Sequence, residues 1–131
     1  MVILPIADAP VTLDAGRVAT DPSRVAFTTR NTGPKNIRAY IVSVFWFPPA
    51  GQRHGFKSQQ QEPSAILRRD DAHQAVMSLP EGLLLGSDMT LIVAVRSATF
   101  EDGTEWKPSM DEINARVAEK AHELKLDSPG R

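Results

Sequence analysis

Ser97-Ala98-Thr99-Phe100-Glu101-Asp102-Gly103-Thr104-Glu105-Trp106 runs as an extended segment into an Asp-Gly pair and comes straight back. An Asp-Gly pair between extended flanks is among the strongest short-range hairpin signals, and it predicts a two-residue turn with φ > 0 at both centres. The hairpin sets an antiparallel β reading for the second half of the chain. Upstream of it, Met89 to Phe100 reads as a strong strand. Leu91, Val93 and Val95 share one of its faces, and Ile92, Ala94, Arg96 and Ala98 share the other. Thr104 to Lys107 is the short return strand.

Ile37 to Phe47 is the most β-prone segment, dominated by Val, Ile, Tyr, Phe and Trp. Tyr40, Val42, Val44 and Trp46 form one face, assigned here to the core. Ala39, Ile41, Ser43, Phe45 and Phe47 form the second. A strand apolar on both faces is covered on both. Arg24 to Arg30 is a further strand, closed by the turn Asn31-Thr32-Gly33-Pro34-Lys35-Asn36. Ala72 to Leu79 alternates, with Ala75, Met77 and Leu79 on one face. Val11 to Leu13 reads as a short first strand. Pro48 to Gly51 and Pro80 to Gly82 read as turns. Between Gln52 and Arg69 the alternation is lost, and Ser58 to Ser64 has no apolar member, so the segment is a long loop or a poorly paired edge strand.

At Pro108 the period changes. Ser109-Met110-Asp111-Glu112 is a capping box, in which the Ser hydroxyl accepts from the backbone N–H of Glu112. Met110, Ile113, Val117, Ala121 and Leu124 then recur at helical spacing and form one apolar stripe of a helix from about Met110 to Lys125. The stripe has two readings. It packs on a sheet face of its own domain, the favoured one, or it docks on a second chain.

A chain of 131 residues fits one domain, read as a sandwich over residues 1–108 with a helix and tail over 109–131 appended to it. There is no Cys, which excludes thiol catalysis, thiolate zinc sites and disulfides. The 15 basic and 16 acidic residues nearly cancel, and Arg68-Arg69 is followed at once by Asp70-Asp71, so a nucleic-acid footprint is not expected. No run reaches the ~20 apolar residues of a membrane-spanning helix. Met1 to Pro10 is apolar but contains Pro5, Asp8 and Pro10 and no basic residue, which does not match a signal peptide.

His54, His73 and His122 lie in different elements without metal-ligand spacing. Asp70 and Asp71 are adjacent, so their carboxylates point apart, as expected of turn residues. Glu101, Asp102 and Glu105 cluster at the hairpin tip, where turn chemistry accounts for Asp102. No phosphate-binding Gly loop, nucleophile elbow or Ser/His/Asp order is present. The expectation is a non-catalytic protein with no cofactor and no metal.

Three stretches resemble a family: Arg24-Val-Ala-Phe-Thr-Thr-Arg-Asn-Thr-Gly33, Lys35-Asn-Ile-Arg-Ala-Tyr-Ile-Val-Ser-Val44 and Val95-Arg-Ser-Ala-Thr-Phe-Glu-Asp-Gly-Thr-Glu-Trp106. They are similar to bacterial immunoglobulin-like modules of the FxLYD type, domains of unknown function often found in exported proteins. The likeness spans about Val11 to Trp106. The Gln-rich segment from Phe56 to Ser64, the Arg69-Asp70-Asp71 run and the helix after Pro108 depart from the family pattern. The resemblance, added to the strands and helix read above, implies an all-β, immunoglobulin-like, two-sheet antiparallel sandwich; its seven strands and the C-terminal amphipathic helix are read from the residues themselves. It also implies an extracytoplasmic setting and a binding role without catalysis, and it transfers no site residue.

The function expected is a protein-interaction or scaffolding module, an accessory subunit of a larger bacterial assembly, with a protein partner or a second copy as its target. The surface expected to carry it is the second face of the central strand with the helix stripe: Ile41, Phe45, Phe47, Ile113, Val117 and Leu124. The alternative is a small-ligand or carbohydrate-binding domain that uses Trp46, Phe47, Trp106 and the loop from Gln52 to Ser64.

Overall fold

The structure is a computed structural model, and it describes residues 2–4, 6, 9–20, 23–47, 55–79 and 90–123. In chain order the elements are β1 (Val2–Ile3), β2 (Val11–Thr20), β3 (Ser23–Asn31), β4 (Ile37–Phe47), β5 (Gly55–Gln61), β6 (Ala72–Ser78), β7 (Thr90–Phe100), β8 (Glu105–Trp106) and α1 (Met110–Glu123). They form an all-β sandwich with a C-terminal helix. The larger sheet has the order β1-β7-β4-β5, with β8 also paired to β7, and the smaller has the order β2-β3-β6. All ladders are antiparallel except the two-residue pairing of β1 with β7, which is parallel.

The core between the sheets is built as the alternation predicts. Tyr40, Val42 and Val44 of β4 meet Val25 and Phe27 of β3, Ala75 and Met77 of β6, and Leu91, Val93 and Val95 of β7. Trp46 is half-buried at its edge. Two β-bulges adjust this pattern, each adding one residue to one strand. On β4 the extra residue is Arg38, since Ile37 faces Phe100 while Ala39 faces Thr99. On β7 it is Arg96, since Ile41 faces Ser97 while Val42 faces Val95. Each bulge inverts the side-chain parity beyond it. Ala98, placed by simple alternation with Ile92 and Ala94, therefore enters the inter-sheet core opposite Tyr40.

β2 extends to Thr20, well beyond the Val11–Leu13 of the pattern reading. A register shift between Asp14 and Arg17 breaks the period-two alternation there and hides the rest of the strand. The Gln-rich segment is an edge strand, paired with β4 from Gly55 opposite Trp46 to Gln61 opposite Tyr40. Gly55 is required at its position. A Cβ there would stand 2.6 to 2.8 Å from the Trp46 indole, which lies across it.

The Asp-Gly hairpin is present, but its turn differs from the two-residue form. Among the described residues Gly103 is the only glycine with φ > 0, at 88°, and Asp102 does not share it. Gly103 N–H donates to Phe100 C=O (3.0 Å) and Phe100 N–H to Thr104 C=O (2.9 Å), giving a three-residue loop closed by a glycine bulge. At the same end of β4, where Ile37 faces Phe100, the Asn31-Thr32-Gly33 turn is tied down by the fully buried Asn31. Its amide nitrogen donates to Lys35 C=O (2.8 Å) and Leu67 C=O (2.9 Å), and its Oδ1 accepts from Gly33 N–H (3.0 Å).

α1 begins as the capping box predicts, with Glu112 N–H donating to Ser109 Oγ (3.1 Å). Asp111 and Glu112 lie in its first turn and Lys120 in its last, matching the helix dipole. Its stripe packs on the outer face of the larger sheet. Ile113, Val117 and Ala121 form a second buried cluster with Phe45 and Phe47 of β4, Ile92 and Ala94 of β7, and Leu4 and Ile6. Burying one Ile or Val side chain is worth roughly 1.5–3 kcal/mol, more than enough to hold a four-turn helix that would be marginal alone. The turns read at residues 48–51 and 80–82, and the end of the helix stripe at Leu124, lie outside the described residues.

Candidate functional site

The helix occupies the face on which the sequence placed an interaction surface. Phe45, Phe47, Ile113 and Val117 are all buried against one another within the chain. Ile41 is half-buried, beyond the end of the helix footprint, and Leu124 is outside the described residues. Two segments named together as one docking surface are thus each other's partner. The favoured reading of the stripe, packing on its own sheet, is the observed one.

What the helix leaves uncovered is the margin of that face along β5. Phe56 lies opposite Phe45, Ser58 opposite Ser43 and Gln60 opposite Ile41. The Phe45 and Phe56 rings stack at 5.5 Å between centroids and 25° between planes, and the Ser43 and Ser58 hydroxyls are 2.7 Å apart. Phe45 is buried, whereas Phe56 is 56% exposed, the most exposed large hydrophobic among the described residues. The apolar layer under the helix therefore continues into solvent on the edge strand.

The backbone phase of β5 follows from the hydrogen bonding. Leu4 N–H donates to Val93 C=O (2.9 Å), so the peptide groups of Val93 face β1, and those of Ile92 and Ala94 face β4. Phe45 and Ser43, opposite them, point back at β7. Val44 and Val42 then point at Lys57 and Gln59 of β5. This leaves the N–H and C=O groups of Phe56, Ser58 and Gln60 directed away from the sheet. The same three residues present the uncovered side chains and, among the described residues, backbone groups with no strand partner.

The opposite face of β5 turns toward the smaller sheet. Lys57 Nζ donates to Ser78 C=O (2.6 Å) and Gln61 Nε2 to Val76 C=O (3.4 Å), both on the edge strand of the smaller sheet. Beside them lies a closed polar ring. Thr29 Oγ1 donates to His73 C=O (3.0 Å), which leaves its lone pairs for the Tyr40 hydroxyl (2.6 Å), and Tyr40 in turn accepts from His73 Nδ1 (2.6 Å). The ring starts and ends on His73. Burial pushes the Tyr40 phenol up to about 12, and burial lowers His73 from the ordinary imidazole value. Both are neutral at pH 7. The Thr29 hydroxyl is fully buried and bonds the carbonyl of His73, not its imidazole, so this arrangement positions no nucleophile.

The other sequence candidates resolve into local structure. His73 and His122 lie in β6 and α1, and His54 is outside the described residues. Among the described residues no three His, Asp or Glu side chains are grouped to hold a metal ion. Asp71 Oδ2 accepts from Arg68 N–H (2.9 Å), and Asp70 adopts φ 71°, a left-handed turn position that Asp tolerates. At the hairpin tip Lys35 bonds Asp102 (3.1 Å) and stands 5.2 Å over the Phe100 ring. Hydrogen bonds from the Thr104 hydroxyl and N–H, and from Lys35, hold the Asp102 carboxyl down at about 2.

Among the described residues, three concavities bear on the remaining candidates. A largely apolar one of about 330 Å³ lies between Pro10, Pro34, Phe100 and Trp106, rimmed by Lys35 and Glu105. A polar one of about 500 Å³ lies on the outer face among Arg38, Gln60, Glu62 and Thr99. A third, of about 210 Å³, lies between Ile3, Leu4 and β2. Of the aromatics proposed for ligand stacking, Phe47 is under the helix, and Trp106 borders the first of these concavities.

No protein-family model matches the chain, and no curated protein matches it in sequence. A crystal structure of a hypothetical protein from Peptoclostridium difficile 630 has the same fold. It superposes with a TM-score of 0.63 at 9% identity and covers 86% of this chain and 92% of that one. At that identity the likeness shows the architecture alone. Among the described residues no helix is long and apolar enough to cross a membrane.

Proposed function

We propose that the protein is a non-catalytic interaction module, an accessory subunit that docks a partner along the exposed margin of its larger sheet. The observation that carries this reading is Phe56, a projecting aromatic on an edge strand whose outward backbone groups have no strand partner among the described residues. A partner strand added to β5 would gain main-chain hydrogen bonds at Phe56, Ser58 and Gln60, with the Phe56 ring and Ile41 as apolar contacts. The helix supports the mode by sealing the rest of the face, which restricts docking to the rim. The resemblance to bacterial immunoglobulin-like modules supports a scaffold of this kind.

A photo-crosslinking amino acid at position 56, with a control at Asp14 on the outer face of the smaller sheet, tests this in cells of the source organism. One discrete adduct from position 56, absent from position 14, is expected. No adduct at 56, or the same adducts from both, would overturn the reading.

The concavity at Trp106 favours a second reading, a small ligand such as a carbohydrate stacked on the indole. Titration of an oligosaccharide panel, followed through Trp106 fluorescence in a Trp46→Phe background, separates the two.

A further inference from the structure

From the way β5 overhangs the smaller sheet, we infer that its inward side chains are a guard over β6, and that the surface they cover is a latent pairing edge for a second copy of this chain. β6 ends the order β2-β3-β6 and is paired only to β3 among the described residues. It is a seven-residue strand, Ala-His-Gln-Ala-Val-Met-Ser, with no Asp, Glu, Lys, Arg or Pro. An uncharged, Pro-free edge strand is the pattern that invites edge-to-edge pairing, since identical copies meet no like-charge opposition. Val76 is 46% exposed on its solvent face and would add an apolar cross-strand contact.

The carbonyls of Val76 and Ser78 are two residues apart and so point to the same side of the strand. Both receive a donor from β5, one from the Gln61 amide and one from the Lys57 ammonium. A second copy approaching β6 would have to displace these donors from the carbonyls its own N–H groups need. It would also meet the Lys57 charge. This accounts for the composition of the strand above: at positions 57 and 61 it carries long polar side chains able to cross from one sheet edge to the other. The inference does not rest on partner docking at β5, which uses the opposite face and the outward backbone of that strand.

Lys57→Met with Gln61→Met removes both donors and keeps side-chain length. Sedimentation velocity across a concentration series should show self-association strengthened on the order of tenfold over the parent, as two hydrogen bonds to the edge are lost. Adding Val76→Lys, which places a charge on the edge, should return the chain to the parent's behaviour. The single variant Lys57→Met changes an exposed side-chain bond and serves if the double variant loses its near-ultraviolet circular dichroism. It should associate more than Lys57→Arg, which retains a donor. Variants that sediment as the parent does, or association that Val76→Lys leaves unchanged, would overturn the proposal.

Discussion

Replacing Tyr40 by Phe removes one oxygen from the closed ring of Tyr40, Thr29 and His73 and leaves the packing volume almost unchanged. Thr29 Oγ1, at 0% exposure, loses its donor, and His73 Nδ1 loses its acceptor; both bonds are 2.6 Å in the parent. A net hydrogen bond is worth about 1 kcal/mol, and a buried polar atom left unsatisfied costs about 1–3 kcal/mol. The expected loss is therefore about 2 kcal/mol, seen as a lower urea midpoint at unchanged m and a Tm lower by about 6–10 °C. Thr29→Val should cost a similar amount in the parent. In the Tyr40→Phe background it should cost less by about 1 kcal/mol, because the hydroxyl it removes is already half-orphaned. A Tyr40→Phe change within about 0.5 kcal/mol of the parent, or strict additivity of the pair, would refute the closed ring.

The same ring gives a pH dependence. Burial lowers His73, so the folded state binds its proton less tightly than the unfolded chain does. Its contribution is fully present above the unfolded value near 6.5 and is lost as pH falls through the folded value. Urea midpoints from pH 8 to 5 should fall on acidification, and His73→Asn should flatten that slope; an unchanged slope would remove His73 as its source. Gly55→Ala places a methyl 2.6 to 2.8 Å from the Trp46 indole. The ring must shift, and a loss of about 1–3 kcal/mol is expected together with an altered near-ultraviolet circular dichroism band. A variant as stable as the parent would mean that the indole is not packed on this glycine.

Much of the architecture is legible in local pattern because its strongest elements are strictly periodic. Tyr40, Val42 and Val44 face the core as alternation requires, and Ile113, Val117 and Ala121 face a sheet as helical spacing requires. The two apolar faces of β4 required a cover on each side, and the helix supplies one of them. Readings based on alternation or turn type failed where the backbone departs from the regular form. The bulge at Arg96 moved Ala98 to the other face, the irregularity after Asp14 hid most of β2, and a third loop residue changed the Asp-Gly turn. β1 is two residues long and offers no period to read.

The candidate site was less legible, for a different reason. An apolar stripe shows that a face is buried but not which surface buries it, so Phe45 and Ile113 looked available although they pack in one cluster. Phe56 was visible as the lone aromatic of a polar stretch. Its significance came only from its place on a sheet edge opposite Phe45. Thr29, Tyr40 and His73 are separated by 11 and 33 residues, and no local spacing brings them together.

The open edge of β5 is the premise on which the docking account stands, and amide hydrogen exchange of the isolated chain, resolved residue by residue, measures it directly. The account predicts fast exchange for Phe56, Ser58 and Gln60, alternating with protection at Lys57, Gln59 and Gln61, while β4 and the buried turn of α1 exchange slowly. Equal protection at these six amides would show that edge already paired, and would contradict the account.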